Sequence, residues 1–152
     1  MINKRVLCLD VGDRRIGVAI SDELGVTARG LFTLKRTNIK SDTDKIIETI
    51  RENDCSHVII GLPLNLSGTD SVQTEKVRSF AEKLGNKLVS NAMQEIALEL
   101  YDERYSTVIA EQTMKEIGIK RKKITETIDQ QAAVVILQDW LLCFGNSSES
   151  SN

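Results

Sequence analysis

Carboxylates carry the chemistry legible in this sequence. Asp10 closes the apolar run Val6-Leu7-Cys8-Leu9 and is followed by Val11-Gly12. Four apolar residues in a row read as a strand buried on both faces. Asp10 is then held on rigid backbone at the exposed end of that strand, aimed at one point. A plain turn-forming role is the alternative. Acidic residues return in Asp102-Glu103-Arg104, after a later strand, and at Asp129. Asp129, Ala132, Ala133, Ile136, Leu137 and Trp140 share one face at helical spacing, the pattern of a stripe that packs on a sheet. Burying an aspartate there without a partner is costly, so Asp129 either caps something or belongs to a site. Carboxylates converging at one sheet edge repel one another and raise each other's pKa. A divalent cation reverses that penalty. Carboxylate oxygens suit Mg²⁺ or Mn²⁺, whereas zinc prefers nitrogen and sulfur. Such ions are the usual apparatus for displacement at phosphorus: one activates water and a second, about 3.5–4 Å away, stabilises the leaving oxygen.

The elements that must position these groups follow from periodicity. Strands are expected at about 4–10, 15–21 and 28–35, joined by short connections into an antiparallel meander. Gly12 permits the first tight turn. Ser41 with Asp44 resembles a capping box ahead of Ile46, Ile47 and Ile50, predicting a helix that ends near Asn53. His57-Val58-Ile59-Ile60-Gly61 is a short buried strand. Thr69 or Ser71 caps a helix with the stripe Val72, Val77, Phe80, Ala81, Leu84 and Leu88, running on to Ala92 across Gly85. Ile96, Leu98 and Leu100 alternate as a strand with one covered face. Ser106 to Ile117 reads as a helix stopped by Gly118, and a last helix spans about 125–144. The result is an α/β fold: a mixed five-stranded sheet, antiparallel meander plus parallel strands, with helices on both faces. Ligands in such sheets bind at the carboxyl ends of the parallel strands, where Asp10 lies. Residues 1–145 are expected to form one domain, and 146–152 a disordered polar tail.

Composition narrows the class. The chain has 152 residues, 41% hydrophobic and 28% charged, with a formal net charge of −2. That is an ordinary globular composition. No apolar run reaches the roughly 18 residues of a membrane span, and the start runs straight into a strand with no signal peptide. A membrane partner is therefore not expected, and the location is expected to be cytoplasmic. The three cysteines, Cys8, Cys55 and Cys143, are widely spaced. They read as small buried hydrophobes of a reducing compartment, not as disulfides or zinc ligands. With a slightly acidic chain, nucleic-acid binding has to come from local basic patches.

Several short motifs carry a resemblance. Leu9-Asp10-Val11-Gly12, Arg15-Ile16-Gly17-Val18-Ala19, Ser21-Asp22, Gly61-Leu62-Pro63-Leu64-Asn65, Gly68-Thr69, Asp102-Glu103-Arg104 and Asp129-Gln130-Gln131-Ala132-Ala133 together resemble the YqgF family, also called the RuvX family. The likeness spans about residues 4–144 in order. It implies an RNase H-like fold related to the RuvC Holliday-junction resolvase, and a nuclease that processes the 5′ end of the 16S ribosomal RNA precursor. By that pattern Asp10, Glu103 and Asp129 are the catalytic, metal-binding carboxylates, holding Mg²⁺ or Mn²⁺. The chain departs from the pattern at Asp13, which adds a negative charge near the expected phosphate path, at Tyr105-Ser106, and in a longer stretch from Leu84 to Glu95.

The remaining candidates concern substrate. Asn65 either touches substrate from a rigid loop or belongs to a plain strand-to-helix connection. Arg104 is placed on a phosphate or on a neighbouring carboxylate. Lys120-Arg121-Lys122-Lys123 reads as a cationic loop upstream of Asp129, able to track phosphates. Arg14 and Arg15 extend that track, with Lys35-Arg36 beyond them. His57 is structural, which leaves no histidine general base. A Holliday junction resolvase-like DNA endonuclease, with branched DNA as substrate, needs the same site. A non-catalytic RNA-binding or transcription-associated module, and an actin-like ATPase or sugar kinase, are further classes. The last binds nucleotide between two lobes, of which this chain offers one. The oligomeric state, monomer or homodimer, is left open.

Overall fold

The computed structural model describes residues 5–102 and 121–145. In chain order its elements are β1 (Val6–Val11), β2 (Arg15–Ser21), β3 (Ala28–Lys35), α1 (Ile39–Asn53), β4 (His57–Leu62), α2 (Val72–Ser90), β5 (Ala97–Asp102) and α3 (Arg121–Trp140), which runs into a π-helical turn over Leu141–Gly145. The strands form one sheet in the order β3-β2-β1-β4-β5. β1 is central. It pairs antiparallel with β2 and parallel with β4, β2 pairs antiparallel with β3, and β4 pairs parallel with β5. This is the mixed sheet that the meander and the later alternation predict.

Side chains of a strand alternate between faces, and β1 shows what each face is for. Leu7, Leu9 and Val11 enter a core with Ile46, Ile50, Val77, Phe80 and Leu84 of α1 and α2. Val6 and Cys8 enter a second core with Ala133, Ile136, Leu137 and Trp140 of α3. Both faces of β1 are therefore covered, which is why its residues read as an unbroken apolar run. Among the described residues no helix is long and apolar enough to cross a membrane.

Several boundaries differ from expectation. The cap of α1 is Asn38, whose side chain accepts from the Ser41 backbone N–H at 2.8 Å. Ser41 thus stands inside the helix, in its first turn, and the Ser41/Asp44 spacing only imitates a capping box. Ser71 caps α2 and shares a capping box with Thr74, as one of the two expected caps. That helix ends at Ser90, short of Ala92, whose φ of 57° takes the chain out of helical geometry. Val72 leads the predicted stripe but is exposed. β5 is an edge strand, with Leu98 toward α2 and Tyr101 toward α3. Cys8 and Cys55 are buried, and burial raises the Cys55 thiol to about 12. Cys143, in the turn after α3, is exposed, contrary to expectation. The helix expected over 106–117 and the tail expected over 146–152 lie outside the described residues.

Gly85 lies within α2, and a Cβ there would meet Leu98 Cδ2 at 3.5 Å, an ordinary contact. Glycine costs about 0.8–1 kcal/mol relative to alanine inside a helix. Gly85→Ala is therefore expected to stabilise the fold by about 0.5–1 kcal/mol in urea unfolding. A loss of stability would show that the helix cannot take even this methyl.

Candidate active site

Asp10 continues the parity of Val6 and Cys8, so it belongs to the α3 face of the sheet, at the carboxyl end of β1. It is half-buried. A row runs across the sheet through this position. Asp10 pairs with Gly17 of β2, and Gly17 with Thr33 of β3. On the other side Leu9 pairs with Ile60, which sets Asp10 beside Gly61, and Gly61 pairs with Tyr101 of β5. The row reads Thr33, Gly17, Asp10, Gly61, Tyr101. Both lateral neighbours of the carboxylate lack side chains, which leaves it room on the α3 face.

The outer members of the row hold α3. The Gln130 side-chain amide donates to Thr33 Oγ1 at 3.0 Å. The Tyr101 hydroxyl donates to Asp139 Oδ2 at 3.3 Å. Burial first, and then the Asp139 charge, push the Tyr101 phenol up to about 12, so it remains a donor at neutral pH. Gly30 completes the seat on β3, since a Cβ there would fall 2.6 Å from Gln130 Oε1. Asp129 precedes Gln130 within α3 and stands three and four residues ahead of the buried Ala132 and Ala133.

The backbone beyond Asp10 is pinned from three directions. Gly12 N–H donates to the Arg15 carbonyl at 2.9 Å, and a Cβ on Gly12 would sit 2.9 Å from that same oxygen. The Arg36 guanidinium donates to the Gly12 carbonyl at 2.9 Å and to Asp42 at 2.9 Å. Gln73 of α2 donates to the Val11 carbonyl at 3.2 Å.

β5 ends at Asp102, in register with Leu62 at the carboxyl edge. Glu103 is the next residue of the chain. Glu103, Arg104, Lys120 and the side chains of Arg121, Lys122, Lys123 and Asp129 lie outside the described residues. Of the predicted carboxylate set, the structure thus describes the Asp10 side chain and the helical position of Asp129. Among the described residues no three His, Cys, Asp or Glu side chains cluster as a metal site.

The substrate candidates divide. Arg14 and Arg15 line an open groove of about 950 Å³ with Thr33, Lys35, Arg36 and Gln130. Arg36 is committed to Asp42 and lies over the Phe80 ring at 5.4 Å, so its charge is used internally. Asp13, at the same groove, forms an ion pair with Lys76 at 3.2 Å, which offsets the negative charge that departs from the family pattern. The Asn65 amide donates within its own loop to Thr69 Oγ1 at 3.1 Å. Arg121, Lys122 and Lys123 are helical residues of α3, not a loop as expected, because the helix is already formed four residues ahead of the expected start. His57 stands at the amino end of β4, paired with Val6, about 13 Å along the strand from Asp10 at 3.3 Å per residue. It stacks on Trp140 at 4.8 Å and meets Glu99 at 3.4 Å, a structural role. Sequence reasoning missed Thr33, Gln130 and Tyr101; only strand register could have aligned them with Asp10.

The sheet order, with β1 central and helices on both faces, is that of an RNase H-like fold. The family described as RuvX, Holliday junction resolvase, matches residues 4–142, and the chain belongs to that family. It is 42% identical over 137 residues to a Myxococcus xanthus (strain DK1622) protein named "Putative pre-16S rRNA nuclease", covering 90% of this chain and 87% of that protein. It is also 42% identical over 141 residues to a protein of the same name from Clostridioides difficile (strain 630), covering 93% and 96%. The fold is similar to RuvC of T. thermophilus, solved in complex with a Holliday junction substrate, with a TM-score of 0.57 and 13% identity over 93% of this chain and 96% of that one.

Proposed function

We propose that this protein is a divalent-metal-dependent nuclease acting in the cytoplasm on the 5′ side of the 16S ribosomal RNA precursor, by phosphodiester hydrolysis. The observation that carries this reading is Asp10, set between two glycines at the carboxyl edge and on the sheet face that α3 covers. The donor set fits the ion: carboxylate oxygens are what Mg²⁺ and Mn²⁺ take, and Gly17 and Gly61 leave space beside Asp10. Asp10, Glu103 and Asp129 would hold the metal. A cation bound there supplies Lewis acidity, lowers the pKa of a water and stabilises charge on the leaving oxygen.

The rest is the work of the chain. The pinned β1–β2 turn fixes the Asp10 carboxylate, and α3 is fixed over it through Gln130 and Tyr101. Arg14, Arg15, Arg104 and the Lys120–Lys123 run orient the phosphate backbone, while Asn65 shapes the loop beside them. Water oxygen bonds to phosphorus as the bond to the 3′ oxygen breaks. The products are a 5′-phosphate and a 3′-hydroxyl, with the water's proton lost to solvent and one gained by the 3′ oxygen. No enzyme side chain becomes covalently attached.

Substrate choice is tested by offering the purified chain, with Mg²⁺, a precursor 16S RNA bearing its 5′ leader and, separately, a four-way DNA junction. Cleavage of the RNA within the leader is expected. Cleavage of the junction alone would keep the chemistry and overturn the ribosomal RNA assignment.

A further inference from the structure

We propose that Thr33 and Gly30 of β3 are positioning residues: through Gln130 they set where α3 presents Asp129 to a divalent ion shared with Asp10. The inference rests on the metal reading of Asp10 and Asp129. Val18 of β2 pairs with Phe32, and the next residue, Ala19, pairs with Gly30, so Leu31 is an extra residue on β3, at a bulge. Leu31 and Phe32 accordingly both lean on the core under α1 and α2. Residues three apart on a regular strand point to opposite faces. The bulge brings Thr33 and Gly30 to the same face, where both meet Gln130 of α3. Bulges beside active sites re-aim side chains in this way.

Conformation does not require a glycine at position 30, since its φ lies outside the left-handed region. Close approach does. A Cβ there would meet Gln130 Oε1 at 2.6 Å and Gln130 Cβ at 3.3 Å, so a side chain would displace the amide that reaches Thr33. Glycine weakens a strand interior and marks a place where another backbone comes close. Further along α3, Ala133, Ile136 and Leu137 pack with Cys8, Ala19 and Ile59. Apolar contact of that kind is non-directional and fixes the register of the helix poorly. The Gln130–Thr33 bond, 3.0 Å long, is directional. The side-chain bonds that tie α3 to β5, at Asp139 and Trp140, lie nine and ten residues further on, about 14–15 Å along the axis. Asp129 is the residue before Gln130, its Cα about 3.8 Å away. Thr33 stands in the row of Asp10, two strands over. The seat therefore governs the span between Asp10 and the head of α3. Mg²⁺ demands oxygen ligands at about 2.0–2.1 Å in near-ideal geometry, so a small displacement there is felt in metal affinity.

The test reads metal binding in the absence of RNA. Mn²⁺ is titrated into the full chain, free Mn²⁺ is read by electron paramagnetic resonance, and urea unfolding is measured beside it. Thr33→Val keeps the shape of the side chain and removes the acceptor, while Gly30→Ala fills the seat. Each is expected to weaken Mn²⁺ binding about tenfold, the lower end of the loss that follows removal of a supporting partner around a metal site. Thr33→Ser keeps the hydroxyl and should bind within about twofold of wild type. Thr49→Val removes a hydroxyl bond inside α1, so it should lower stability and leave Mn²⁺ affinity unchanged. Unchanged affinity in Thr33→Val, or an equal loss in Thr49→Val, overturns the positioning role. Thr33→Val decides the matter if Gly30→Ala does not fold. A wild-type chain that takes up no Mn²⁺ overturns the metal reading and this inference together. One that binds Mn²⁺ but fails to cut RNA sinks the nuclease reading alone.

Discussion

Asp10→Asn is expected to lower metal-dependent cleavage by about 10³-fold or more while leaving RNA affinity within about twofold. Loss of one preorganised electrostatic donor costs about 10²–10³-fold in an active site, and Asp10 is proposed to do more, since it holds the ion itself. The substitution keeps the size of the side chain and removes one negative charge. The fold has little reason to respond, because Asp10 is half-buried between glycines at a strand end. With the ion withheld in EDTA, removing a negative charge does not weaken attraction for phosphate. The informative result is thus a split between turnover and binding, measured as single-turnover cleavage beside fluorescence anisotropy. Full activity in the variant would remove Asp10 from the chemistry. Parallel loss of binding and cleavage would make it a binding or folding residue.

Asp42→Ala is expected to cost about 3–5 kcal/mol of stability, the range for removing one partner of a buried ion pair. Asp42 is 2% exposed and accepts from the Arg36 guanidinium at 2.9 Å and the Thr37 backbone N–H at 3.1 Å. It also lies in the first turn of α1, where a negative charge is favoured. Alanine leaves Arg36 largely buried with its charge uncompensated. In a domain of this size the loss corresponds to a fall in Tm of about 6–20 °C. Asp42→Asn can still accept one of the two hydrogen bonds and should cost less. Because Arg36 also holds the Gly12 carbonyl, Asp42→Ala should lower cleavage even at temperatures where the fold persists. A change under 0.5 kcal/mol in urea unfolding would show that Arg36 finds another partner, and that the turn after Asp10 does not depend on the pair.

Much of this was legible because the chain is locally consistent. The run Val6 to Leu9 announced a strand covered on both faces, and β1 is covered by α1 and α2 on one side and α3 on the other. The stripe from Ala132 to Trp140 announced a helix on the sheet, and those residues are buried. Where reading failed, a local signal was outweighed by something distant. Ser41 with Asp44 has the spacing of a capping box, but Asn38 reaches the free N–H groups first. Cys143 reads as a small buried hydrophobe, but it stands exposed with Leu142 and Phe144 while Leu141 beside them is buried. The row through Asp10 could not be read at all. It joins residues of five strands by register, and a slip of one residue in any of them would send its side chains to the other face. The bond from Gln130 to Thr33 spans 97 positions of chain, so no local pattern could foretell it.

The central claim is that carboxylates at this edge act through a divalent ion on a phosphodiester. The most direct measurement incubates the purified wild-type chain with precursor 16S RNA in Mg²⁺ or Mn²⁺, and again in excess EDTA, and then determines the chemistry of the new ends. The account predicts cleavage only with the ion, leaving a 5′-phosphate and a 3′-hydroxyl. Equal cleavage in excess EDTA, or ends bearing a 3′-phosphate, would contradict it.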